Sequence, residues 1–184
     1  MGKSSTLVRL YKMYNSKVLQ DQKHKSNSMI IQFLICGFLT EFMNPTESVK
    51  DRIIKYMVQK GIEAGKINEN TTLVEGNSGN TGASVAMIAS SMGLKSILFV
   101  PDKCSEEKIA IIKSYGAEVI IKPAAYTNPD DEYGKAAAIK ASESEDFYHI
   151  DQFNSMLNPE AHYMTLGQVI WNEMNGQVKK LIQN

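Results

Sequence analysis

Between Thr46 and Lys66 the apolar residues Val49, Ile53 and Met57 recur every fourth position, with Ile54, Val58 and Ile62 beside them. That spacing predicts a helix with one broad buried face. Asn44-Pro45-Thr46 opens it, with Lys50 in the first turn, and Gly65 closes it. The pattern then alternates. "TTLVE", Thr71 to Glu75, predicts a strand; a glycine-containing loop follows, and then a helix from about Ala83 to Met92 ended by Gly93. "SILFVP" predicts a second strand, Ser105 to Tyr115 a helix stopped by Gly116, and "AEVIIK" a third strand stopped by Pro123. An alanine-rich helix around Tyr133 to Ala141 leads to the strand "FYHI". Short strands alternating with helices predict parallel βαβ units and an α/β class, an open, mainly parallel sheet with flanking helices. Ligands in such sheets bind at the carboxyl ends of the strands, where "GNSGNTG" and "DQFN" fall.

Composition changes this picture little. The chain has 184 residues, 43% of them hydrophobic and 22% charged, the profile of a water-soluble globular protein. Lys plus Arg and Asp plus Glu balance at 20 each, so no global field draws the chain onto nucleic acid or an acidic membrane. The longest apolar run, "MIIQFLICGFL" from Met29 to Leu39, has 11 residues, short of the roughly 20 that a membrane span needs. It predicts one or two buried strands. No signal-peptide pattern is apparent, and Cys36 and Cys104 have neither a disulfide framework nor zinc-ligand spacing, so both are expected as thiols in a reducing, cytoplasmic setting. No metal site is expected. "MGKSST" fits a loose myristoylation pattern and imitates the end of a phosphate loop, but the pattern is short and the upstream glycine is missing.

Two segments carry candidate chemistry. Ser78-Gly79-Asn80-Thr81-Gly82 joins a strand to a helix, where backbone N–H groups and hydroxyls can receive a carboxylate. The same residues also suit an ordinary βα loop with a good N-cap. Lys50, in "NPTESVKDRI", is by itself a lysine on a helix face. His149 and His162 read as packed or capping histidines, and Met164, Trp171 and Met174 as core or subunit contact.

Taken together and in order, "NPTESVKDR" and "EGNSGNTG", with "PDKCSEEKIAIIKSYGAEVI" and "DQFNSMLNPEAHY" after them, resemble the β-family of pyridoxal-phosphate enzymes, within it the cysteine synthase and cystathionine β-synthase group. The resemblance runs from Glu41 to the end and implies a tryptophan synthase β-like fold with pyridoxal 5'-phosphate as cofactor. It implies that Lys50 carries the cofactor, is displaced by the substrate amine and then takes the α-proton, while Asn80 contacts the cofactor ring oxygen. Asn77, Ser78, Gly79, Thr81 and Gln152 match positions that receive the substrate carboxylate. The implied reaction is β-replacement on a serine-type amino acid, giving cysteine or cystathionine, in a homodimer when the domain is complete.

The chain departs from the family pattern at four places. Thr46 and Glu47 stand where the family has Gly-Gly, and Gly76-Asn77 where it has Pro-Thr, so the carboxylate loop is expected to be less rigid on that side. The segment between Arg9 and Glu41 is longer than the family's. The chain stops at "KKLIQN", where the family continues into a glycine-rich loop that binds the cofactor phosphate. The expectation is a partial catalytic domain over 1–184, with a movable subdomain at about 81–150 and an incomplete larger one. Two alternatives go with it: a catalytically inactive relative whose cleft takes a partner's C-terminal peptide, or a fragment without independent function.

Overall fold

The computed structural model describes residues 41–77, 79–124 and 132–178. The run from Met29 to Leu39, Cys36 and Ser78 lie outside the described residues. The chain divides into two units, Glu41–Val169 and a second formed by the two ends, of which 170–178 are described. In the second, Gly176 has a φ of 71° and packs against the ring of Trp171, which is half exposed; that tryptophan is no core residue among the described residues.

A short 3-10 turn, Glu41–Met43, precedes helix α1, Lys50–Glu63. Then come β1 (Thr72–Gly76), α2 (Asn80–Ser91), β2 (Lys95–Pro101), α3 (Glu106–Ser114), β3 (Glu118–Lys122), α4 (Tyr133–Ala141), β4 (Phe147–His149) and α5 (Leu157–His162). A π-helical turn, Tyr163–Gly167, continues into α6, Gln168–Glu173. Among the described residues the expected elements are present, with shifted ends. The turn before α1 holds Glu47 at a φ of 56°, so the helix starts at Lys50 and not at Thr46. Helix α2 starts at Asn80, three residues before the expected Ala83.

All four strands are parallel, in the order β3-β2-β1-β4. Side chains alternate across the sheet, and both faces are covered, which is why Ile97 to Val100 is apolar without interruption. On one face Leu73, Leu98 and Val100 pack with Ile53, Ile54, Met57 and Val58 of α1 and Val85, Ala86, Ile88 and Ala89 of α2. On the other, Val74, Ile97 and Phe99 pack with Ala136 and Ala137 of α4. Cys104 is buried in the first core. The expected apolar face of α1 departs from its pattern at Ile62, which is 45% exposed. There Gly61 lets Ile67 fold back, its Cδ1 2.4 Å from where a Cβ would stand, and Ile67 fills the place instead.

The chain runs from β1 outward through β2 to β3, then returns to the other side of β1 as β4. The crevice between the carboxyl ends of β1 and β4 is thus the topological switch point of the sheet, where open α/β folds bind ligands. No helix among the described residues is long and apolar enough to cross a membrane.

Candidate active site

Lys50 is the first residue of α1, and the residues around it are tied down. Asn44 donates from Nδ2 to Glu41 Oε2 at 2.7 Å and to the Ser48 carbonyl at 2.9 Å, which closes the turn. The buried Ser48 accepts the Lys50 backbone N–H at 3.2 Å. Asp51, also buried, accepts the Thr46 N–H at 2.9 Å, the Thr46 hydroxyl, and the Ser84 hydroxyl at 2.6 Å. Arg52 pairs with Glu41 at 2.8 Å. Ser48 and Asp51, on either side of Lys50, are therefore fixed, Asp51 to α2. The Thr46 departure is absorbed here, because its hydroxyl finds a carboxylate. Glu47 is exposed and takes the left-handed conformation that its glycine counterpart would adopt at no steric cost.

The second segment leaves β1 at the switch point. Asn77 donates its N–H to the Phe99 carbonyl at 3.0 Å, and its side-chain Oδ1 accepts the Gly79 N–H at 2.8 Å. This Asx-type turn ties Gly79 back to Asn77. Its Nδ2 is not committed among the described residues. Thr81, 1% exposed, donates from Oγ1 to Gln152 Oε1 at 2.8 Å, bringing together two expected carboxylate-binding residues 71 positions apart. Asn80 is exposed at the first position of α2, and its side chain makes no hydrogen bond among the described residues. Lys108, on α3, lies with Nζ 3.1 Å from where a Gly79 Cβ would stand, so a cation adjoins this loop.

Gly76 admits no side chain, since a Cβ would come within 2.4 Å of the Tyr133 carbonyl at the start of α4. Its N–H donates to Glu75 Oε1 at 2.8 Å, a bond that a proline could not make. Glu75 is 2% exposed, and burial pushes its carboxyl up to about 7 against the opposing pull of the Gly76 and Gln152 N–H groups. His149 Nε2 stands 4.0 Å from Glu75 Oε1, and burial lowers the His149 pKa, with Asp151 acting in the opposite sense. A cavity of about 390 Å³ opens beside them, walled by Asp151, Phe153, Tyr133 and Lys135.

Four residues of this region were not singled out by sequence reasoning as part of it. Asp51 and Ser84 join the two motifs, Glu75 sits behind the loop, and His162, read as a packing histidine, is close enough to Lys50 for that charge to add to burial in lowering its pKa. Asp51 and Glu75 could have been suspected, as acidic residues within otherwise buried stretches of motif; Ser84 and His162 had no such signal. Among the described residues no group of three or more His, Cys, Asp or Glu side chains is placed to hold a metal ion.

Residues 38–183 match the family described as "Pyridoxal-phosphate dependent enzyme". Over 137 residues the chain is 39% identical to cystathionine beta-synthase of Saccharomyces cerevisiae, covering 73% of this chain and 27% of that protein. Cysteine synthase 3 of Caenorhabditis elegans is 41% identical over 139 residues, 75% of this chain and 41% of that one. Among solved structures, the O-acetylserine dependent cystathionine beta-synthase from Helicobacter pylori superposes with a TM-score of 0.68 at 38% identity, covering 74% of this chain and 44% of that one. The chain thus spans less than half the length of these relatives. The match extends through both motifs and the sheet that joins them, and the chain belongs to the pyridoxal-phosphate dependent enzyme family.

Proposed function

We propose that this chain supplies the lysine and the carboxylate clamp of a pyridoxal-phosphate-dependent β-replacement on a serine-type amino acid, in the formation of cysteine or cystathionine. The observation that supports this best is the Asp51–Ser84 hydrogen bond, which ties the Lys50 turn to the helix that opens with Asn80 and Thr81. The residues present suit the cofactor in their chemistry: a primary amine whose backbone is fixed on both sides, an uncommitted Asn80 amide, and hydroxyl and amide groups around a helix N-terminus. When bound, pyridoxal phosphate supplies the electron sink that makes an α-proton acidic.

In this reading Lys50 Nζ is the point of attachment and, once released, the base that removes the α-proton. Asn80 orients the ring through its side-chain amide. The substrate carboxylate sits against the loop N–H groups and the amides of Asn77 and Gln152, with Ser78 and Thr81 beside them, which aims the Cα–H bond at Lys50. With the cofactor bound, its electron sink would let the β-substituent leave as its anion and a thiol or sulfide take its place at Cβ. Residues of about 81–150 would form the movable subdomain that closes over the ligand. We also place the protein in the cytoplasm as a homodimer; the apolar Tyr163 and Met164, both more than half exposed, are suited to such a contact.

The test is product formation. Purified chain supplied with pyridoxal phosphate, O-acetyl-L-serine and sulfide should release cysteine, and Lys50→Ala should abolish it. No lysine-dependent product with sulfide, and none with homocysteine in its place, would sink the reading.

A further inference from the structure

Gln152 is 3% exposed and anchored at three points. Its N–H donates to Glu75 Oε2 at 3.3 Å, its carbonyl accepts from Asn158 Nδ2 at 2.8 Å, and its Oε1 accepts the Thr81 hydroxyl at 2.8 Å. With Oε1 occupied, the amide N–H2 is the end left to meet a ligand carboxylate. Asp151, just before it, has a φ of 51°, so the backbone turns sharply out of β4 at this point. The other Glu75 oxygen accepts the N–H of Gly76, the residue that starts the loop. One buried carboxylate therefore holds both segments that carry the clamp.

We propose that Glu75 is a positioning residue for ligand binding: its two oxygens hold the backbone N–H groups of Gly76 and Gln152, and so fix the direction in which the Gln152 amide faces a substrate carboxylate. This rests on the reading of Thr81 and Gln152 as a carboxylate clamp. A neutral carboxyl is a weaker acceptor than a carboxylate, so protonating Glu75 loosens its hold on the two N–H groups. The groups facing Glu75 are His149 on β4, Asp151 just after it, and Glu132, Tyr133 and Lys135 at the start of α4. Burial places the Glu75 transition near 7, within working pH.

Positioning and plain stability respond to pH in opposite directions. Burial favours neutral Glu75, so the fold gains from protonation, while the clamp is held more weakly by it. In the nitrogen-15-labelled free chain, the backbone amide signals of Gly76 and Gln152 should titrate with one shared midpoint near 7, and should still do so in His149→Gln. Signals that fail to move together, or a titration that vanishes in His149→Gln, would overturn the proposal. With pyridoxal phosphate present, the ratio of wild-type to Glu75→Gln affinity for L-serine should rise about tenfold from acid to mildly alkaline pH, as the charged acceptor forms. A ratio constant across that range would also overturn it. If wild type takes no L-serine at any pH, the clamp reading fails; the amide titration, which needs no ligand, then decides the part played by Glu75 by itself.

Discussion

Ser84 donates its hydroxyl to Asp51 Oδ1 across 2.6 Å, and this bond joins the segment that carries Lys50 to the helix that begins with Asn80. Asp51 also takes both the N–H and the hydroxyl of Thr46, so three donors depend on one buried carboxylate. Ser84→Ala removes one donor and leaves the others satisfied, and should cost about 1 kcal/mol. Asp51→Ala strands the N–H and hydroxyl of Thr46, while the Ser84 hydroxyl keeps the Asn80 carbonyl at 3.0 Å, and the change should cost about 2–3 kcal/mol. Urea unfolding of the two variants measures the difference; equal losses would mean that Asp51 does not organise this turn.

Glu47 tests the turn from the opposite side. A non-glycine residue at a φ of 56° has a steric cost of about 1–2 kcal/mol, whereas a carboxylate near a helix N-terminus recovers about 0.3–1 kcal/mol. Glu47→Gly should therefore stabilise the chain by about 0.5–1 kcal/mol, read as a higher urea midpoint. A loss of stability would show that the charge matters more than the backbone.

At Gly76 the family's proline should be tolerated poorly. It would remove the N–H that Glu75 accepts and press a ring against the Tyr133 carbonyl, so Gly76→Pro and Gly76→Ala should each lose about 2–3 kcal/mol or more. Calorimetric melting gives the answer, and a Gly76→Pro protein as stable as wild type would contradict the close packing of β1 on α4.

Much of this was legible in the sequence because it depends on local periodicity. The Ile53/Met57 spacing and the apolar run at Ile97–Val100 each reflect a buried face, and burial patterns survive in a single chain. Lys50, Asn80, Thr81 and Gln152 stood out through the resemblance of their motifs to the pyridoxal-phosphate family, since each alone suits an ordinary helix face or loop. What escaped notice were relationships across the chain. Ser84 is an ordinary helix serine until the fold sets it against Asp51, 33 positions away. Ile62 fits the helix period, yet Ile67 takes its place because Gly61 leaves room for the chain to turn back.

The pH dependence of stability follows from Glu75. Its folded pKa, about 7, lies above the 4.5 of an unperturbed glutamic acid, so its contribution is fully present below about pH 4.5 and is lost as pH rises through 7. The full swing is about 3 kcal/mol. His149 acts oppositely: its pKa is lowered, so its contribution is present above its unperturbed value of 6.5 and is lost as pH falls through the folded one. The stability of wild type relative to Glu75→Gln should accordingly fall between about pH 4.5 and 8. A flat difference would mean that Glu75 titrates normally.

Asn80→Ala separates ligand binding from capping. The side chain is exposed and makes no hydrogen bond among the described residues, so the variant should keep its stability without ligand to within about 1 kcal/mol. The rise in melting temperature caused by pyridoxal phosphate with a β-substituted serine analogue should shrink sharply. A destabilised variant that keeps its full ligand shift would make Asn80 a structural residue.

The attachment of the cofactor to Lys50 is tested most directly by absorbance. Incubation with pyridoxal phosphate should give the visible band of the cofactor joined to an amine, retained in Lys55→Ala, which alters an exposed lysine on the same helix, and absent in Lys50→Ala. A band of undiminished intensity in Lys50→Ala would contradict the assignment of Lys50 as the cofactor lysine.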